Sequence, residues 1–205
     1  MKFFVIEMNL FDDRLFAYTE QVDFETGEAP RCPECNDAVG QREWLPPYHI
    51  KLSKPSYGDF AYGSIAPFVV TERVVRLYSE SGLKGIESFQ PLEVVKVARK
   101  RNTSQEPPMY YQAIIPYGGS RTEINPTLSH IEYMSEPTCQ FCKLGTIYKY
   151  QNVVIDEDTW DGIDVFKPIG LPGTIVVTER FRDFAELHGF TNLKLVPSTE
   201  YECPY

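Results

Sequence analysis

The residues with the clearest chemical capability are four cysteines in two CxxC pairs, Cys32-Pro-Glu-Cys35 and Cys139-Gln-Phe-Cys142, out of five cysteines in the chain. A CxxC turn aims two sulfurs at one point, and two such knuckles complete a closed tetrahedron of thiolates. That is the donor set of a structural zinc site with no position left for a reactive water. The 103 residues between the knuckles exceed the spacing of a compact zinc ribbon, so other parts of the chain must bring them together. Two other uses of a CxxC pair are weighed against zinc. A thioredoxin-like redox pair needs a βαβ setting and one activated thiol, whereas both pairs here precede strand-like segments. Disulfides need an oxidising compartment, and the opening Met1 to Glu7 breaks its apolar run with a carboxylate too early for a signal peptide. Cys203 stands alone near the C-terminus and is read as a spare thiol.

The sequence contains its own means of pairing the knuckles. Sliding it against itself by 107 positions lays Cys32 on Cys139 and Cys35 on Cys142, and without a gap it also lays Pro30 on Pro137, Gly63 on Gly170 and Gly82 on Gly189. The same shift places Val69-Val-Thr-Glu-Arg73 on Val176-Val-Thr-Glu-Arg180, and Glu93 on Glu200. Two pseudo-repeats are therefore expected, about 30–97 and 137–204, each supplying one knuckle to a shared metal near the axis that relates them. A strand region over 1–29 precedes them, a connector over about 98–136 joins them, and 1–205 is read as one domain.

The elements that position these motifs follow from local pattern. Lys2 to Leu10 reads as a strand, with a turn at Asp12-Asp13. Residues 41–45 and 48–53 read as strands separated by Pro46-Pro47, a dipeptide confined to a turn or an edge. In each repeat a Val-Val strand leads into a helix. Thr71 caps the first helix, which runs to about Ser81 with Val74, Leu77 and Tyr78 on one face and Gly82 as terminator. Thr178 caps the second, with Phe181, Phe184 and Ala185 inward and Gly189 at its end. Phe89 to Val97, Asn192 to Val196 and Tyr110 to Tyr117 read as further strands, and the basic stretch Lys96 to Pro108 as an exposed connection. The expected fold class is α+β, β-rich, with the two halves clamped by the four-cysteine zinc site.

Charge and composition narrow the function. With 29 acidic against 20 basic side chains the chain carries a net charge of -9, which argues against general affinity for nucleic acid or anionic membrane and favours basic partners. No apolar run approaches a membrane span, and a cytoplasmic location is expected. There is no GxxxxGK[ST], strand-linked GxGxxG, GxSxG or HExxH motif, and His49, His130 and His188 lie in no local catalytic grouping. Five carboxylates, Asp156, Glu157, Asp158, Asp161 and Asp164, surround Trp160 within nine residues. An EF-hand does not fit, because the twelfth position counted from Asp156 is Lys167. The segment is either a solvated loop whose Trp tucks into the core, or an aromatic anchor ringed by acids that captures a basic protein.

The paired CxxC motifs, Trp160-Asp-Gly-Ile-Asp-Val-Phe166, and Val176-Val-Thr-Glu-Arg-Phe181 leading through a helix to Gly189-Phe-Thr-Asn-Leu-Lys-Leu-Val-Pro197 resemble the double-CxxCG motif proteins, a family expanded among myxobacteria. Family knuckles usually end in glycine, where this chain has Asn36 and Lys143. The C-terminal block also resembles immunity proteins of other polymorphic and swarm-inhibition toxin systems, which carry Trp-Asp-Gly followed by Asp-x-Phe. The resemblance implies a non-enzymatic immunity protein that neutralises a cognate toxin. Two alternatives stand beside it: an enzyme using His49 or His130 in a cleft between the repeats, and a zinc-stabilised adaptor.

Overall fold

The structure is a computed structural model that describes residues 1–7, 14–63, 68–98 and 106–202. The expected Asp12-Asp13 turn, the end of the first expected strand, most of the basic connection and Cys203 lie outside those residues. Among the described residues fourteen strands occur in chain order: β1 (Phe3–Ile6), β2 (Thr19–Val22), β3 (Glu25–Thr26), β4 (Trp44–Leu45), β5 (His49–Leu52), β6 (Phe60–Ala61), β7 (Val69–Thr71), β8 (Ser88–Val97), β9 (Tyr110–Ile114), β10 (His130–Ser135), β11 (Thr146–Gln151), β12 (Val165–Phe166), β13 (Val176–Thr178) and β14 (Leu195–Pro197). Helix α1 (Glu72–Ser81) follows β7 and α2 (Glu179–His188) follows β13. The molecule is thus β-rich α+β.

Both helices form where their caps dictate. Thr71 and Thr178 are extended N-caps, each helix opens on Glu, and Gly82 and Gly189 take the left-handed conformation that ends them, at φ 71° and 57°. The apolar positions of α1 bury Val74 and Tyr78, and those of α2 bury Phe181, Phe184 and Ala185.

Two main sheets receive these helices. One has the order β2-β5-β8-β9-β7-β6, and the other β12-β13-β1-β14. The main core lies between them, combining Phe60, Phe68 and Val70 of the first sheet region with Phe4, Ile6 and Val177 of the second and the inner faces of both helices. Smaller clusters cover the opposite faces, one around Trp44, Ile50, Leu52 and Tyr110, the other around Phe3, Val5, Ile155 and Phe166. Strands β1, β7 and β13 are consequently buried on both sides, so they read as continuous apolar runs without alternation.

The chain order in these sheets is crossed. β1 comes first in sequence, yet it is the strand between β13 and β14 in the second sheet. β9 follows the first half of the chain, yet it sits between β8 and β7 in the first sheet. The two insertions share one register: β7 pairs Val69, Val70 and Thr71 with Gln112, Tyr111 and Tyr110, while β13 pairs Val176, Val177 and Thr178 with Val5, Phe4 and Phe3. Every partner is displaced by 107 positions, the spacing that separates Cys32 from Cys139.

A matching pair of clasps joins the halves. Asp59 accepts from Thr71 Oγ1 (3.3 Å), Arg73 Nη1 (3.0 Å) and, across the molecule, the Thr191 N–H (3.0 Å). Asp164 accepts from Thr178 Oγ1 (2.8 Å), Arg180 Nη1 (3.2 Å) and the Lys84 N–H (3.0 Å). The Thr and Arg of each set belong to the duplicated Val-Val-Thr-Glu-Arg segment, so that segment does three jobs: strand, helix cap and carboxylate clasp. Gly85, next to Lys84, has φ 122°, and a Cβ there would lie 1.8 Å from the Val165 carbonyl oxygen; the close approach of the halves requires glycine.

Candidate metal centre

Each CxxC pair sits in the loop of a β-hairpin. Cys32 and Cys35 lie between β3 and β4, which pair antiparallel, and Cys139 and Cys142 lie between β10 and β11, which do likewise. Within the knuckles the Asn36 N–H donates to the Cys32 carbonyl (2.9 Å) and the Lys143 N–H to the Cys139 carbonyl (3.0 Å). These tight turns drive the following residue into left-handed space, at φ 63° for Asn36 and 50° for Lys143. Asparagine tolerates that region, while lysine does so at a cost of roughly 1 kcal/mol.

The two hairpin loops meet sulfur to sulfur. Cys32 Sγ is 3.8 Å from Cys139 Sγ and Cys35 Sγ is 3.7 Å from Cys142 Sγ. All four sulfurs lie within 4.8 Å of one another. A tetrahedron with Zn–S bonds of about 2.3 Å has edges of about 3.8 Å, so the donor set fits a tetrahedral thiolate-preferring cation. All four cysteines are free thiols. No helix follows either pair directly, which departs from a thioredoxin-like setting.

The surroundings hold these sulfurs. Cys32 and Cys142 are buried, with Val39, Tyr117, Phe141 and Leu144 packed around the cluster. The Cys35 and Glu34 N–H groups, against the cost of burial, bring Cys32 down to about 7. Cys35 receives the Asp37 N–H, but burial and the three neighbouring thiols outweigh it and push Cys35 up to about 12. Burial, with Cys139 and Cys32 beside it, also raises Cys142 against the Leu144 N–H. Thiolates at this spacing repel one another, and a bound dication turns that repulsion into attraction. Around the second knuckle the Tyr117 hydroxyl donates to the Cys142 carbonyl (2.5 Å) and accepts the Gly170 N–H (2.8 Å). Arg121 donates to the Phe141 carbonyl (3.0 Å) and lies 4.3 Å over the Phe141 ring. Sequence reading missed Tyr117 and Arg121, because neither belongs to a motif and both act through backbone carbonyls.

The acidic segment divides by role. Asp164 is fully buried in its clasp. Trp160 is half-buried against Phe3, at 6.0 Å between ring centres, and its Nε1–H donates to the Ile163 carbonyl. Asp161 accepts from Ser120 Oγ (2.9 Å) and the Arg121 N–H (3.1 Å), and Asp156 caps a short 3-10 turn over 157–159. Glu157, Asp158 and Asp161 are exposed, and Glu157 pairs with the Met1 amine at 3.0 Å. The histidines stay on separate elements. His49 on β5 pairs with Glu93 at 3.4 Å, His130 is exposed at the start of β10, and His188 ends α2 against the Phe184 ring at 4.9 Å. Among the described residues no helix is long and apolar enough to cross a membrane.

No protein-family model matches the chain, and no curated protein matches it.

Proposed function

We propose that Cys32, Cys35, Cys139 and Cys142 hold one zinc ion that pins together two copies of a single unit, and that the resulting scaffold is a binding protein that captures and neutralises a basic protein toxin. The copies run from β1 to the end of β8 and from β9 to the end of β14, each lending its first strand to the other's sheet. The identical register of β1 on β13 and β9 on β7, with the matching Asp59 and Asp164 clasps, supports this division. The observation that carries the metal assignment is the convergence of four sulfurs from two distant hairpins within 4.8 Å. Four thiolates fill a zinc tetrahedron, so the ion's contribution is folding energy and no reactive water is generated there.

The binding reading draws on the net charge of -9, which raises the encounter rate with a basic partner, and on the resemblance to immunity proteins. Of the acidic segment, Glu157, Asp158 and Asp161 are the carboxylates placed to meet a partner, with the exposed part of Trp160 beside them. Asp156 and Asp164 shape the segment from within. Neutralisation then acts by covering the toxin's active site or substrate path.

Two measurements test the parts separately. Protein purified without chelator should carry close to one zinc per chain, and Cys35→Ser or Cys139→Ser should lose the metal and unfold, since a structural zinc contributes on the order of 10 kcal/mol to folding. Folded, metal-free wild type would refute the clamp. Tagged, zinc-loaded protein should retain one basic toxin-like partner at moderate salt, identified by mass spectrometry. Glu157→Lys with Asp158→Lys should slow association about tenfold at low salt. No specific partner, or capture indifferent to that charge reversal, would overturn the binding reading.

A further inference from the structure

A cavity of about 420 Å³ lies where three parts of the chain meet. The β8–β9 ladder contributes Gln90 and Gln112, which are direct cross-strand partners. The first knuckle's loop, residues 40–43 with Pro30, contributes a second side, and Trp44 and Tyr48 extend it with aromatic surface. The third side comes from the segment joining β12 to β13, through Lys167 and Ile175. This volume is in the range of small-molecule sites, which combine an apolar lining with a few converging polar groups.

The Gln90 amide of this lining donates to the Pro91 carbonyl, whereas other side-chain donors here have no acceptor among the described residues. Trp44 is 8 % exposed, its Nε1–H is enclosed, and it finds no acceptor. Lys167 is half-buried and makes no hydrogen bond or ion pair with any described residue. Burial draws it below its ordinary value, the response of an ammonium taken from water without a counter-charge. The Gln112 side-chain amide, also in the lining, likewise has no partner among the described residues. An enclosed donor left unpaired is costly in a native fold, and Trp44 lines the same cavity as the unpaired, half-buried Lys167 ammonium, so the cavity suits a ligand that brings an acceptor and a negative charge. The one carboxylate in the lining, Glu43, is exposed and sits beside Arg42, so it does not answer Lys167 from inside.

We propose that this cavity binds a small organic acid, its carboxylate against Lys167, Gln112 and the Trp44 Nε1–H and its apolar body against Tyr48, Ile175 and the Trp44 ring. A carboxylate supplies two acceptor oxygens and the missing negative charge, and the aromatic and aliphatic lining selects an aryl or alkyl substituent over a bare inorganic anion. Because residues 40–43 belong to the first knuckle's loop and Lys167 to the second half, a bound acid touches both halves. The proposal is independent of toxin capture.

The test uses full-length, zinc-loaded, ¹⁵N-labelled protein titrated with 3-phenylpropionate and with octanoate, and with 3-phenylpropionamide as the uncharged counterpart. The chain has two tryptophans, so two indole N–H signals report, assigned through Trp44→Phe. The Trp44 signal should move saturably with one or both acids and at least tenfold more weakly with the amide. The Trp160 signal, already bonded to Ile163, should stay in place. Lys167→Met should weaken acid binding at least tenfold. Gln112→Leu, a milder change on the sheet surface, should weaken it severalfold and stands in if the lysine variant does not fold. No saturable movement of Trp44 at millimolar acid, equal binding of the amide, or unchanged affinity in the folded variants would overturn the proposal.

Discussion

At the scale of single residues, the sites that matter most are those where side-chain identity and backbone conformation are jointly constrained. Asn36 and Lys143 both adopt positive φ directly after a knuckle. Asn36→Gly should leave stability nearly unchanged, whereas Asn36→Ala should cost about 1 kcal/mol, because alanine has no asparagine-like tolerance of the left-handed region. Urea unfolding of zinc-loaded protein reads the difference. Asp59 offers a pH test. Burial opposes its ionisation, but the Thr191 N–H and hydroxyl and the Arg73 guanidinium prevail and hold its pKa below the ordinary value. A carboxyl group depressed in the folded state adds stability above its unfolded pKa, near 3.9, and that stability is lost as pH falls through the folded pKa. The urea midpoint of wild type should therefore drop more steeply below about pH 4 than that of Asp59→Asn, and parallel curves would show that the clasp does not set the acid limb. The cysteines were legible from spacing alone. Tyr117, Arg121 and the cavity donors were not, because their roles depend on carbonyls and neighbours that only the fold brings near.

Among elements, the two helices were the most readable, since N-cap position, inward apolar face and terminating glycine all agreed, although only Thr178 caps through its side chain, accepting the Phe181 N–H, while the Thr71 side chain makes no capping bond. The strand reading was more uneven. Residues 41–45 and 48–53 do contain β4 and β5, but these do not pair with each other. β4 joins β3 in the knuckle hairpin, while β5 lies between β2 and β8. Local pattern reports that a segment is extended and is silent on its partner. Leu195 to Pro197 alone became strand within the region expected from Asn192 onward, because residues 191–192 are engaged in the clasp with Asp59 and Phe60. The two N-cap threonines differ in setting as well as in capping. Thr178 bonds a fully buried carboxylate at 2.8 Å, and Thr71 bonds a partly accessible one at 3.3 Å. Thr178→Val should cost about 2–3 kcal/mol and Thr71→Val about 1 kcal/mol, since the first leaves a buried carboxylate short of a donor. Equal losses in thermal or urea unfolding would contradict this ranking.

For the whole molecule, the sequence matches at a shift of 107 begin at Pro30, whereas the strand pairings offset by the same 107 positions reach back to Phe3. Phe3 to Ile6 and Tyr110 to Ala113 occupy equivalent registers with no identical residue among them; three positions match as aromatic or apolar side chains, and at the fourth Gln112 stands where β1 has Val5. Identity therefore undercounts the similarity where packing is the only constraint. The crossed strands make the N-terminus a central structural member. Phe3, Phe4, Val5 and Ile6 are all buried, and at about 1.5–3 kcal/mol each their burial amounts to roughly 6–12 kcal/mol. That matches the whole stability of a typical domain, about 5–15 kcal/mol. A chain lacking residues 1–7 should fail to unfold cooperatively in circular dichroism even with zinc supplied; a normal transition would mean that β14 and β13 can close without β1. The same crossing has a consequence for biosynthesis. β1 leaves the ribosome well before its partners at Val176 to Thr178 and Leu195 to Pro197. At roughly 5–20 residues per second it waits on the order of 10–30 s as an unpaired apolar segment, while β8 and β9 can already form their hairpin. The nascent chain is thus prone to aggregation at β1 until β13 and β14 are made, and slower translation lengthens that exposure.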